Sequence, residues 1–180
     1  MEETTDAKSP GNEPRRRTKG QKRLEHVLGQ IPVAREQLLA AIDDLAPSFT
    51  VPAIQEAAQS GDPRERNKVA VIERELDVLI AYLEELASRG IAEALRLDPT
   101  SRGAGPAWER LAELRVISKA TATRLQNVKD MRNELAHAYP PISWRALHRT
   151  TETLLAELDS YKVKCAGWLV ERGVLPPDTR

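Results

Sequence analysis

The sequence predicts an all-α protein, an antiparallel bundle of four to five helices, and three observations carry that expectation. From Leu24 onward the apolar residues recur at three- and four-residue spacing. No segment keeps the strict alternation of a half-buried strand, and Ala, Leu, Glu and Arg dominate over β-branched and aromatic residues. Breakers rich in Pro and Gly cut the periodic stretches into separate pieces, so no seven-residue repeat outlasts one helix, as a long coiled coil would require. No longer repeat of the solenoid kind is present.

Residues 1–21 are polar, carry Pro10, Gly11, Pro14 and Gly20, and read as a disordered basic arm. The bundle is expected over 22–172, with 173–180 as a C-terminal tail. Its first helix spans about 22–46 on Leu24, Leu28, Ile31, Leu38, Ile42 and Leu45, and Pro32 either kinks it or starts a new helix. A short helical turn is expected at about 53–60. The clearest helix is 64–88, where Val69, Ile72, Leu76, Leu79, Leu83 and Leu86 form one stripe. Asp62-Pro63 supplies its start signal and Gly90 a stop signal, with a further short turn at 91–96. The next helix is expected as one piece over about 107–137, on Leu111, Leu114, Ile117, Thr121, Leu125, Val128, Arg132 and Leu135. Thr121 is a mild interruption of that stripe, since its hydroxyl can bond back to a carbonyl of the preceding turn. The last helix, about 143–171, begins after Ser143 and carries Trp144, Leu147, Thr151, Leu154, Leu158, Tyr161, Cys165 and Trp168.

Composition narrows the function classes. The chain has 180 residues with 27 Lys+Arg against 27 Asp+Glu, which excludes a uniformly basic nucleic-acid coat or an acidic solvating tail as its whole identity. Its one cysteine, Cys165, cannot form an internal disulfide, so a reducing cytoplasm is the expected location. No apolar run approaches the roughly 20 residues of a membrane helix, so no membrane partner is expected. The neutral total hides a division. Residues 1–23 hold 7 basic and 4 acidic side chains, 24–105 hold 8 and 14, and 106–180 hold 12 and 9.

Arg132 breaks its stripe. It falls four residues after Val128 and three before Leu135, where the pattern asks for an apolar side chain, and a buried guanidinium needs a partner. Pairing with a carboxylate on a neighbouring helix would satisfy it, as would a place near a helix C-terminus with its stem on apolar surface. A functional role is the third reading. Arg132 stands in the run Arg132-Asn133-Glu134-Leu135-Ala136-His137-Ala138-Tyr139, and Pro140 sets the helix end near His137. A permanent cation and a titratable imidazole are the groups that phosphodiester cleavage uses. In a regular helix the two lie about 140° apart, so a frayed last turn or a symmetric dimer would have to bring them together.

The pattern Arg132-Asn133-x-x-x-His137-x-Tyr139 resembles the signature of HEPN-domain proteins, most closely the HepT-type toxins encoded beside a minimal nucleotidyltransferase (MNT) antitoxin. The resemblance is close at the motif and loose over the helical layout from about 64 to 172; the N-terminal arm and the 98–106 loop look like additions. It implies a HEPN-like homodimer whose two motifs form one composite site, a cytoplasmic, metal-independent endoribonuclease with no cofactor. Arg132 would hold the scissile phosphate, and His137 would act as general acid or base for 2′-hydroxyl attack on an RNA substrate. Asn133 would position either the phosphate or the His. Tyr139 would be the position that a cognate nucleotidyltransferase antitoxin modifies with AMP. The alternative is a non-catalytic HEPN-like module that binds a nucleotidyltransferase or another partner protein.

The remaining candidates read as structure. His26 and His148 stand alone on helices, and three His with one Cys give no zinc spacing. Gly103-Ala104-Gly105-Pro106 lacks the Lys-Ser/Thr of a phosphate loop. Asp43-Asp44 and Glu84-Glu85 look like solvated helix faces, and Trp108, Trp144 and Trp168 like core or interface anchors. Arg15, Arg16, Arg17, Lys19, Lys22 and Arg23 form a solvated basic tail or a weak, salt-sensitive attraction for RNA or antitoxin.

Overall fold

A computed structural model of the chain describes residues 17–45, 48–97, 106–137 and 143–179, apart from the side chains of 134–137. Six α-helices make up the described residues: α1 Lys19–Leu45, α2 Val51–Gln59, α3 Pro63–Leu95, α4 Ala107–Glu113, α5 Lys119–His137 and α6 Trp144–Glu171, followed by a short 3-10 turn at Pro177–Thr179. The all-α bundle is as the periodicity predicts, with more helices than the four to five expected. No strand occurs among the described residues.

Helix α1 begins at a reciprocal cap. The Thr18 hydroxyl oxygen accepts from the Gln21 N–H at 3.0 Å, while the Thr18 N–H donates to Gln21 Oε1 at 2.8 Å. Pro32 lies inside α1 and neither ends it nor starts another helix. Its ring removes one backbone bond, but the buried stripe stays in register on both sides, from Leu24, Val27, Leu28 and Ile31 to Ala34, Leu38, Ala41 and Leu45. Packing of that stripe against α3 outweighs the local cost. Helix α3 is likewise longer than its stop signal suggests. Gly90 is buried within it against Leu169 of α6; a Cβ there would meet that leucine at 3.5 Å, ordinary van der Waals contact, so the glycine neither ends the helix nor is required by the packing.

The ends of α3, α4 and α6 share one device. Arg96, Arg115 and Gly173 adopt positive φ angles of 52°, 59° and 67°. In each case the next residue's N–H reaches back to close the helix: Leu97 to the Ala92 carbonyl, Val116 to Leu111 and Val174 to Leu169, each at 2.9 Å. The break at Arg115 is why the stretch expected as one helix over 107–137 is two. Ser118 then caps α5, its hydroxyl oxygen accepting from the Thr121 N–H at 3.0 Å. The Thr121 hydroxyl oxygen accepts from Ser118 Oγ, three residues back, and among the described residues the hydroxyl makes no bond to a carbonyl of the preceding turn.

Cross-helix pairs fix the directions. Arg23 meets Glu85 and Thr18 meets Glu93, so α1 and α3 run antiparallel. Lys129 with Glu84 and Arg132 with Asp77 set α5 antiparallel to α3, and Arg124 with Glu157 brings α6 against α5. The core lies between these helices, with Leu24, Leu38, Ile72, Leu79, Leu83, Leu125, Leu154 and Leu158 among its most buried members. Trp108 is buried in it, and the buried Tyr161 hydroxyl donates to the Leu83 carbonyl at 2.9 Å. Residues 173–179, expected as a tail, return to the bundle, with Val174 and Leu175 buried against the core. Of the expected basic arm, residues 1–16 lie outside the described residues, and 19–21 are already helix.

Candidate active site

Helix α5 enters the bundle on Leu125 and Val128, both fully or nearly buried, and four residues on the stripe position is held by a half-buried Arg132. Arg132 sits where that stripe meets the edge of α3. Its Nε–H donates to Asp77 Oδ1 at 3.0 Å, and the two side chains keep 36% and 44% of their exposure. The apolar stripe is therefore interrupted at the bundle's rim and not in its centre, which is why a guanidinium is tolerated there. One turn earlier, Lys129 pairs with Glu84 in the same α3–α5 seam. The carboxylate-pairing reading of Arg132 is thus realised in the geometry of a single chain.

Asp77 has a second acidic neighbour. Glu73 stands one turn before it on α3, half-buried, with Oε1 shielded and without a hydrogen-bond partner among the described residues. Burial, and after it the nearby Asp77 charge, push the Glu73 carboxyl above the usual range. Glu73 and Asp77 were not singled out by sequence reasoning. Their i, i+4 spacing on the helix opposite the motif was the available signal, but charged pairs at that spacing are commonplace on helix surfaces.

The motif's other members are described to different depths. Asn133 is half-buried next to Arg132. His137 is the last residue of α5, and its side chain lies outside the described residues, as does the whole of Tyr139. Because α5 continues as regular helix to His137, the Cα positions of Arg132 and His137 are separated by about 140° around its axis. On the α6 side of α5, an open groove of about 380 Å³ is lined by Arg124, Asn127, Met131, Arg149, Thr150 and Thr153, among others. Thr150 is buried, and its hydroxyl has no hydrogen-bond partner among the described residues.

The other candidates fall into structural places. His26 is exposed, whereas His148 stacks on Phe49 with ring centroids 4.9 Å apart and shares a 2.9 Å hydrogen bond with the Phe49 carbonyl. Asp43 and Asp44 are exposed, as expected. Glu84 and Glu85 are not simply solvated: Glu84 pairs with Lys129, and Glu85 takes both Arg23 and Arg89. The hydrogen bond from Arg23 holds the Glu85 carboxyl below the usual range. Trp108 is core, and Trp144 and Trp168 pack partly buried against it. Of the basic arm, Arg17 pairs with Glu25 and Arg23 with Glu85, Lys19 and Lys22 are exposed, and Arg15 and Arg16 lie outside the described residues, as do 103–105 of the glycine-bearing loop. Burial pushes the Cys165 thiol up to about 12. No group of three potential metal ligands occurs among the described residues, and no described helix is long and apolar enough to cross a membrane.

Comparison with known proteins gives one match. No curated protein and no solved structure matches the chain. Residues 44–164 match a family model described as "Ribonuclease HepT-like". That span runs from the end of α1 into α6, leaves most of α1 outside, and contains Arg132, Asn133, His137 and Tyr139. With the helical bundle and the motif at the end of α5, the match over more than half its length means that the chain belongs to the HepT-like ribonuclease family.

Proposed function

We propose that the chain is the toxin of a toxin–antitoxin pair and cleaves RNA at a composite site formed by two copies. The observation that carries this reading is the family match, whose span holds all four motif positions, with Arg132, Asn133 and His137 in the last turns of α5. The chemistry needs no metal. The 2′-oxygen attacks the adjacent phosphorus, the bond from phosphorus to the 5′-oxygen breaks, and a 2′,3′-cyclic phosphate and a 5′-hydroxyl remain. Arg132 neutralises the charge that builds on the phosphate oxygens, and His137 takes or returns the proton near neutral pH. The dependence on a 2′-hydroxyl restricts the reaction to RNA. The angular separation of Arg132 and His137 on α5 favours a site assembled from two chains over one assembled within a single helix. Asn133 positions the phosphate or the His. AMP added to Tyr139 by a nucleotidyltransferase antitoxin would place a bulky anion where the RNA phosphate must enter.

The pairing of Arg132 with Asp77 favours a second reading, a non-catalytic module that binds a nucleotidyltransferase or other protein. Metal-free incubation of the purified chain, without AMP on Tyr139, with mixed RNA separates the two. The ribonuclease reading expects cleavage in chelator with cyclic phosphate ends, lost in Arg132→Ala and His137→Ala. Intact RNA, or cleavage that survives either substitution, contradicts it.

A further inference from the structure

The Arg132–Asp77 contact uses only one side of the guanidinium. Nε donates to Asp77 Oδ1 at 3.0 Å, and among the described residues neither terminal nitrogen of Arg132 has a hydrogen-bond partner. A guanidinium is a rigid planar fork, so fixing its inner N–H fixes the plane and direction of its outer edge. That outer edge carries the paired donors that match two phosphate oxygens. Arg124 offers a contrast on the same helix: its Nε meets Glu157 at 2.5 Å, and one terminal nitrogen is also turned toward Thr121 Oγ1 at 3.5 Å. The partial exposure of both Arg132 and Asp77 means that the pair contributes little to holding the fold together.

We propose that Asp77 is a positioning residue for RNA cleavage: by accepting the Arg132 Nε–H it aims the terminal nitrogens of Arg132 outward, toward two oxygens of the scissile phosphate. This inference rests on the ribonuclease reading of the motif. It assigns to α3 a part in a site whose other members all lie on α5 and the residues just beyond it. It also predicts a division between binding and turnover. Without the carboxylate the cleft is one charge more positive, so RNA binds as well or better, while the unanchored guanidinium meets the phosphate in the wrong orientation.

The test is steady-state cleavage of one defined RNA by the full chain and by Asp77→Ala and Asp77→Asn, with folding checked by circular dichroism and melting. Asp77→Ala is expected to lower kcat by on the order of 100-fold, the loss that misplacement of about 1 Å produces, with KM unchanged or reduced. Asp77→Asn retains an oxygen that can accept from Nε and is expected to recover most of that loss. A folded Asp77→Ala with wild-type kcat overturns the positioning role and leaves the ribonuclease reading standing. So does an Asp77→Asn no better than Asp77→Ala. A wild-type chain that does not cleave RNA overturns both.

Discussion

Arg132 reaches from the penultimate turn of α5 to Asp77 in the middle of α3, and the 3.0 Å contact ties the motif's cation to a helix outside the motif. Because both side chains are partly solvated, the tie is weak in the thermodynamic sense. Arg132→Ala is therefore expected to change stability by less than about 1 kcal/mol. A thermal or urea melt checks this. A loss of several kcal/mol would mean that Arg132 is a structural strut, and that activity lost in the variant could not be assigned to chemistry.

Glu73 supplies a pH signature on the same seam. Its folded-state pKa is raised by burial and by Asp77, so the folded chain holds that proton more tightly than the unfolded chain does. Below the ordinary glutamate range both states are protonated, and the group makes no difference. As pH rises through that range, stability falls, and the penalty is complete once pH exceeds the raised folded value. Glu73→Gln should match the wild type in acid and melt higher at pH 7. A variant that melts lower at pH 7 would show that the Glu73 carboxylate has a stabilising partner.

Arg115 spends a non-glycine residue on a left-handed turn with φ of 59°. Its carbonyl-closing neighbours need that geometry, but the side chain does not favour it. Arg115→Gly is expected to raise stability by about 1 kcal/mol, read as a higher urea midpoint with unchanged slope. No gain, or a loss, would show that the exposed Arg115 side chain makes a compensating contact.

How much of this was legible in the sequence follows from which residues mark structure by their own chemistry. Stripes such as Val69 to Leu86 and Leu147 to Leu158 declare buried helix faces, and Asp62 and Ser143 mark helix starts. The break after α4 was hidden because an arginine, not a glycine, takes the left-handed position. Gly90 and Pro32 misled in the opposite direction, since packing against Leu169 and a continuous buried stripe carry helices through both. At the site, Arg132 announced itself by interrupting an apolar stripe. Asp77 could not, because nothing in a chain pattern tells which of α3's many carboxylates faces α5.

Tyr161 offers a test of the core beneath the site. Its hydroxyl is fully buried and donates to the Leu83 carbonyl at 2.9 Å, with burial pushing the phenol well above its ordinary range. Tyr161→Phe should cost about 1 kcal/mol in a denaturant melt and leave RNA cleavage unchanged. A neutral substitution would mean that the hydrogen bond does not contribute to holding α6 on α3.

On the proposed mechanism Arg132 and His137 cleave RNA without metal in a site shared by two chains. The most direct measurement mixes folded Arg132→Ala and His137→Ala chains under subunit-exchange conditions, in chelator, with RNA. Neither variant alone is expected to cleave, and the mixture is expected to recover part of the activity, because a mixed dimer keeps one intact Arg132 and one intact His137 on different chains. A mixture as inactive as its parts, with the wild type active and exchange verified, would contradict a site that pools the two residues across the dimer.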